Sequence, residues 1–198
     1  MSNGTDPTDL EIKDTYSKDK REGFRLLYRK YSDRILSVCK RYSADKGESM
    51  DYFQEAMLKI YDKMRSYSHD GEGSLFRWIS RVTVNMIVDK RRREEKWKME
   101  VIDNQQEDAY IDEGSDDLET IPVEEIYKMV GKLSAARSTV FNLFAVEGYS
   151  YKEIGEMLGI SEDGASSTMS KARKDLARLV KEYLKAQGDE GLDRSYKG

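Results

Sequence analysis

SYKEIGEMLGIS, residues 150–161, runs straight into EDGASSTMSKARKDLAR, residues 162–178, and these two stretches decide the fold. The first reads as a short helix with Ile154, Met157 and Leu158 turned inward. Gly159 ends it, because glycine can take the left-handed conformation that a sharp turn requires. Ile160 then plugs the core from the turn, and Gly155 is small where a second helix must cross closely. Ser161 can accept from the free amides that open the next helix. In that helix Ala165, Met169, Ala172, Leu176 and Leu179 alternate in steps of three and four along a buried side. The outer side shows Ser166, Ser167, Ser170, Lys171, Arg173 and Lys174. Small hydroxyls can approach base edges or phosphates, and cations anchor the phosphate backbone, so Ser150 to Arg178 is predicted to form a helix-turn-helix that docks on duplex DNA. The plainer alternative is a helical hairpin that merely packs, with a solvated basic face; the turn, the small residue at the crossing and the basic outer face together weigh against it. Glu162 and Asp163 suit a helix N-terminus but repel phosphate, which restricts or tunes the contact.

Upstream, the apolar residues Phe24, Leu27, Tyr28, Tyr31, Ile35 and Val38 mark one face of a helix over Glu22 to Tyr42. After a polar break at 43–49, Phe53, Ala56, Met57, Ile60, Tyr61 and Met64 repeat the spacing in a second helix from about Met50 to Met64. Its other face carries Asp51, Gln54, Glu55, Leu58, Lys59 and Asp62. SYSHDGEG, residues 66–73, is loop chemistry, and Ser74 stands where an N-cap belongs. A third helix follows with Leu75, Trp78, Ile79, Val82 and Met86 as its stripe. Arg77, Arg81, Asn85 and Asp89 face elsewhere, and the helix ends in Lys90, Arg91, Arg92 and Arg93. Past the acidic stretch, Pro122 suits the first turn of a helix whose face is Val123, Ile126, Tyr127, Val130 and Leu133. Another helix runs from Ala135 to Val146 with Val140, Leu143 and Phe144 inward. With two prolines in 198 residues, an all-α chain of two small helical domains is expected.

The net charge of −4 argues against a nucleic-acid partner until its distribution is read. Between Met99 and Thr120 lie nine acids and no Lys or Arg, and removing those nine charges turns −4 into +5 for the remainder. The chain is thus a pair of mildly basic flanks joined by an acidic, flexible linker. Cys39 and His69 are the only cysteine and histidine, which excludes an internal disulfide and a Cys/His metal site. No metal and no cofactor are expected. No phosphate loop of the GxxxxGK type, no HExxH and no nucleophile beside a histidine base is present, so the chain does not read as an enzyme. The first residues lack a basic start and an apolar core, and no window approaches a membrane span, so a cytoplasmic protein without membrane insertion is expected.

The front stretches DYFQEAMLKIYDKM and SLFRWISRVTVNMIVDKRRR, paired with the rear motif, strongly resemble one family, the bacterial RNA polymerase sigma factors of the extracytoplasmic-function (ECF) group. The resemblance divides the chain into an N-terminal tail (1–19), a sigma region 2 bundle (20–98), the acidic linker (99–121), a sigma region 4 helix-turn-helix (122–184) and a C-terminal tail (185–198). It implies an alternative sigma factor that binds core RNA polymerase and directs promoter-specific initiation. The alternative is a helix-turn-helix regulator that is not a polymerase subunit. The resemblance gives the face of Asp51, Gln54, Glu55, Leu58 and Asp62 a partner in the clamp helices of the largest polymerase subunit, and region 4 one in the flap of the second-largest subunit. It also implies that Arg77, Arg81, Asn85, Lys90, Arg91, Arg92 and Arg93 act on the minus-ten element, with Tyr67 or Trp78 offering a ring to an unstacked base, although Trp78 lies on the apolar stripe. Ser166, Ser167, Ser170 and Lys171 would read the minus-thirty-five element, with Arg173 and Lys174 on phosphates. The family commonly has a Gly-Thr-like pair near Asp163 and Gly164 and a basic residue near Ser166. The departure here predicts a weaker or differently specified upstream contact. Promoter DNA is the expected ligand and an anti-sigma factor a usual further partner. The linker acids would mimic nucleic-acid charge in a polymerase channel or serve as a solvating tether.

Overall fold

The computed structural model describes residues 6–43, 45–93 and 121–195, and every regular element among them is helical. They fall into two compact units, which divide between Lys90 and Arg91. The acidic stretch read as a linker lies outside the described residues except for Ile121.

The first unit opens with a helix that the sequence reading assigned to a tail. Helix α1 (Asp9–Lys18) starts in a capping box: Glu11 N donates to Thr8 Oγ1 at 3.2 Å, and Thr8 N donates to Glu11 Oε2 at 2.7 Å. Asp19 closes α1 and opens α2 (Lys20–Arg41), its carboxylate accepting from the Arg21 and Glu22 amides. The two helices cross so closely that a Cβ on Gly23 would lie 2.3 Å from Tyr16 Cα. Helix α3 (Lys46–Lys63) begins earlier than the polar break suggested, because Asp45 caps the Glu48 amide at 2.9 Å. A single 3-10 turn (Met64–Ser66) and a loop lead to α4 (Ser74–Arg93). Leu27, Ile35, Ala56, Ile60, Leu75 and Ile79 are fully buried, as the apolar spacing required. Tyr28 is the exception at 48% exposed, while Tyr52, Val84 and Ile87 enter the core from outside the expected stripes. Cys39 is also fully buried, and burial pushes its thiol up to about 12, so it serves as a protonated packing group.

The second unit holds α5 (Val123–Val130) behind Pro122, then α6 (Ala135–Phe141), capped by Ser134 and prolonged by a π turn (Asn142–Val146). Helices α7 (Tyr151–Leu158) and α8 (Glu162–Ser195) complete it. Helix α8 packs on α5, α6 and α7, and Arg137 Nη1 ties α6 to it through Asp175 Oδ2 at 2.6 Å. Ile121, assigned to the linker by its neighbours, is instead packed with Met129 and Val180 in the core. The residues read as a C-terminal tail from 185 continue α8 to Ser195.

Candidate nucleic-acid interface

The turn between α7 and α8 is built as the sequence dictates. Ser150 and Glu153 form a second capping box at the start of α7, with amide-to-side-chain distances of 3.3 and 2.8 Å. Gly159 takes the left-handed conformation at φ 73° and ψ 35°. Its amide and that of Ile160 both donate to Gly155 O, at 2.9 and 3.0 Å, which closes the helix end. A Cβ on Gly155 would stand 2.8 Å from Ile160 O, so the small residue is demanded by the turn backbone rather than by the crossing helix itself. Ser161 Oγ accepts from Gly164 N at 3.0 Å and so caps α8. Ile154, Leu158, Ala165, Met169 and Ala172 are buried beneath this frame, with Ile160 half-buried.

On the outer side of α8, Arg173 and Lys174 are exposed and Ser166, Ser167 and Ser170 are half-buried. Arg173 lies 5.8 Å from the ring of Phe144, which stacks on Tyr151 at 4.6 Å. Lys171 corrects the expectation of a reading position: it is only 8% exposed. At a helical period of 3.6 it falls between the outer face and the packed stripe of Ala165, Met169 and Ala172, where sequence spacing alone cannot place it.

In the first unit, Arg77, Arg81 and Asn85 are exposed, and their four-residue steps align them on one side of α4 over about 12 Å. Lys90 Nζ meets Glu55 Oε2 at 3.2 Å and lies 5.2 Å from the ring of Tyr52. Two residues expected in different interfaces are therefore paired. Such a half-exposed pair contributes at most about 1 kcal/mol, so either partner can be exchanged for another contact. Arg92 and Arg93 are exposed at the helix end. Arg91, which belongs to the second unit, corrects the expectation of a DNA contact. It is 5% exposed, and its Nη1 donates to Ala135 O at 3.0 Å and to Thr139 Oγ1 at 2.7 Å. Arg91 lies opposite the Leu75, Ile79 and Met86 stripe of its own helix, so the period of α4 alone would leave it exposed; it is the α6 groups it bonds that cover it. On α3, Asp51, Gln54, Leu58 and Asp62 are exposed and Glu55 half-exposed, with Leu58 at 69% the most exposed large apolar side chain described.

The loop before α4 is ordered by groups that sequence reasoning missed. Tyr67 is not a free ring: it is 4% exposed, its hydroxyl lies 2.5 Å from Ser74 Oγ and 3.2 Å from His69 Nδ1, and its ring stands 5.6 Å from half-buried Trp78. Ser74 does not cap α4 as expected, because its Oγ accepts from Asp70 N and donates to Gly71 O. The amide just before α4 and that of its second residue go to Asp9 instead. Gly73 N and Leu75 N donate to its Oδ2 at 2.7 and 3.1 Å. The Tyr31 hydroxyl and Lys30 Nζ donate to its Oδ1. Glu72 pairs with Lys30 at 2.5 Å and accepts from the Asp9 amide at 2.9 Å. Burial works to raise the Asp9 carboxyl, but hydrogen bonds from Tyr31, the Leu75 amide and Lys30 outweigh it and hold the group below its ordinary value. Burial likewise opposes the Lys30 charge, and Glu72 and Asp9 more than compensate, leaving its ammonium above the usual range. The legible signal was Thr8-x-x-Glu11, a capping-box pattern that marks a helix start where a tail was read.

Among the described residues no cluster of His, Cys, Asp and Glu could hold a metal ion, and no helix is long and apolar enough to cross a membrane.

Two family models match the chain: Sigma-70 region 2 over residues 27–97 and Sigma-70, region 4 over residues 123–176. The ECF RNA polymerase sigma factor SigE of Mycolicibacterium smegmatis is 25% identical over 179 residues, covering 83% of this chain and 62% of the relative. The chain thus spans less than two thirds of that relative's length. The RNA polymerase sigma-H factor of Pseudomonas aeruginosa is 23% identical, covering 91% of this chain and 98% of its own. Among solved structures, the sigma factor RpoE in complex with the anti-sigma factor NepR from Bartonella quintana is 20% identical, with a TM-score of 0.48, covering 80% of this chain and 96% of that one.

Proposed function

The chain belongs to the sigma-70 family, in its extracytoplasmic-function group, and from that premise we propose that it is an alternative sigma factor that binds core RNA polymerase and directs promoter-specific initiation. The observation that carries this reading is the order of the two matches, region 2 lying mainly on the first helical unit and region 4 on the second, each with cations on an exposed helix side. A helix-turn-helix regulator needs only the second of these.

In this reading the exposed stripe of Asp51, Gln54, Glu55, Leu58 and Asp62 docks on the polymerase clamp helices, and the region 4 unit meets the flap. Arg77, Arg81 and Asn85 follow one strand of the minus-ten element. Ser166, Ser167 and Ser170 approach the minus-thirty-five element, and Arg173 and Lys174 hold its phosphates. An anti-sigma factor would cover the same polymerase-binding faces. The protein acts by binding rather than catalysis, in the cytoplasm where polymerase and promoters are.

Run-off transcription with purified core polymerase on a promoter library tests the proposal. The expected result is discrete transcripts from a subset of templates with this chain as the sole initiation factor. Duplex binding without any transcript would instead identify a regulator that is not a polymerase subunit.

A further inference from the structure

The network around Asp9 uses no residue assigned above to polymerase or DNA, yet it fixes the segment that leads into the candidate strand-binding helix. A helix N-terminus leaves its first amides without intrahelical partners, and a nearby side chain in sequence ordinarily satisfies them. Here the acceptor comes from more than sixty residues upstream. Asp9 is fully buried, and one of its oxygens accepts from both Gly73 N and Leu75 N while the other is held by Tyr31 and Lys30. Lys30 also grips Glu72, and the Asp9 amide donates back to Glu72, so the two acids and one cation clasp the loop from both sides. Arg77 follows within one turn, its amide bonded to Gly73 O at 3.3 Å.

We propose that Asp9 is a positioning residue for promoter-strand capture: helix α1 supplies a remote cap that sets the conformation of residues 67–75 and the direction in which α4 presents Arg77, Arg81 and Asn85. This deepens the sigma-factor reading and rests on it. The carboxylate does not touch DNA. It suits the place because a negative charge at a helix N-terminus is stabilised by the aligned peptide dipoles, and because a buried carboxylate with four donors leaves the loop a single well-defined arrangement.

The experiment compares the full-length wild type with Asp9→Asn, which retains one acceptor oxygen, and Asp9→Ala, by two readouts. The first is amide hydrogen exchange, which needs no polymerase. Exchange at Gly73, Leu75 and the flanking loop should rise about tenfold in Asp9→Ala, the equivalent of one lost cap, and less in Asp9→Asn, with amides in α3 unchanged. The second measures core-polymerase affinity and promoter opening separately, on a template chosen with wild type. Opening should fall about tenfold while affinity for core stays level, because the α3 stripe is held by other contacts. Unchanged exchange in the loop would overturn the proposal, as would exchange rising equally across α3, which marks general loosening, or equal losses in core affinity and opening. A wild-type chain that opens no promoter would sink the sigma-factor reading and with it the role in strand capture; the exchange result then still decides whether Asp9 holds the loop.

Discussion

Gly155 shows how one missing methyl group can be required by the backbone. The position is helical and would accept alanine on propensity alone, with a gain of up to about 1 kcal/mol. A Cβ there, however, would meet the Ile160 carbonyl oxygen at 2.8 Å, and the Gly159 and Ile160 amides both bond to Gly155 O, so the turn has no freedom to withdraw. The steric term is the larger. Gly155→Ala should destabilise the second unit by about 1–3 kcal/mol, read as a lowered midpoint in denaturant with an unchanged slope. A midpoint equal to wild type would mean that the turn yields.

At the scale of elements, α8 carries both the packing of the second unit and its candidate DNA face. Its buried side is paired with α5, α6 and α7, which leaves a narrow outer strip of hydroxyls followed by Arg173 and Lys174. With Lys171 turned inward and Glu162 and Asp163 at the exposed start, the strip is less cationic than its sequence suggests. Replacing Ser166 with Arg should therefore strengthen contact with upstream duplex. One added phosphate contact steepens the salt dependence of binding by about one unit in the log–log slope. Binding titrations at several salt concentrations, with transcription from the matching promoters, check this, and an unaltered slope on every upstream sequence would show that Ser166 does not face DNA. Helix α1 carries a parallel lesson. Its capping box was written in Thr8 and Glu11, but its purpose was not, since Asp9 acts on amides that lie distant in sequence.

For the whole molecule the charge distribution is the feature that only the full chain displays. Nine acids with no intervening cation separate two flanks that together carry +5. If these acids stand in for nucleic acid within a polymerase channel, exchanging several of them for Gln and Ser at constant length should weaken holoenzyme assembly or initiation. Transcription at the wild-type level would favour a solvating tether. The helices from α2 onward, most of their inward faces, the αL turn at Gly159 and the cap at Ser161 are local quantities, set by period, glycine and side-chain hydroxyls within a few residues, and the sequence by itself determined them. It also placed the exposed cations Arg77, Arg81 and Lys174, because these lie opposite an apolar stripe. The tertiary structure alone decided the cases at the edge of a stripe or beyond the reach of a single element. Arg91 and Lys171 turn inward, Tyr67 is buried, Ile121 joins a core, and Asp9 caps a helix sixty-odd residues away. Periodicity assigns a side chain to a face of its own helix, but whether that face meets solvent or another element depends on how the helices pack, and no local pattern encodes that.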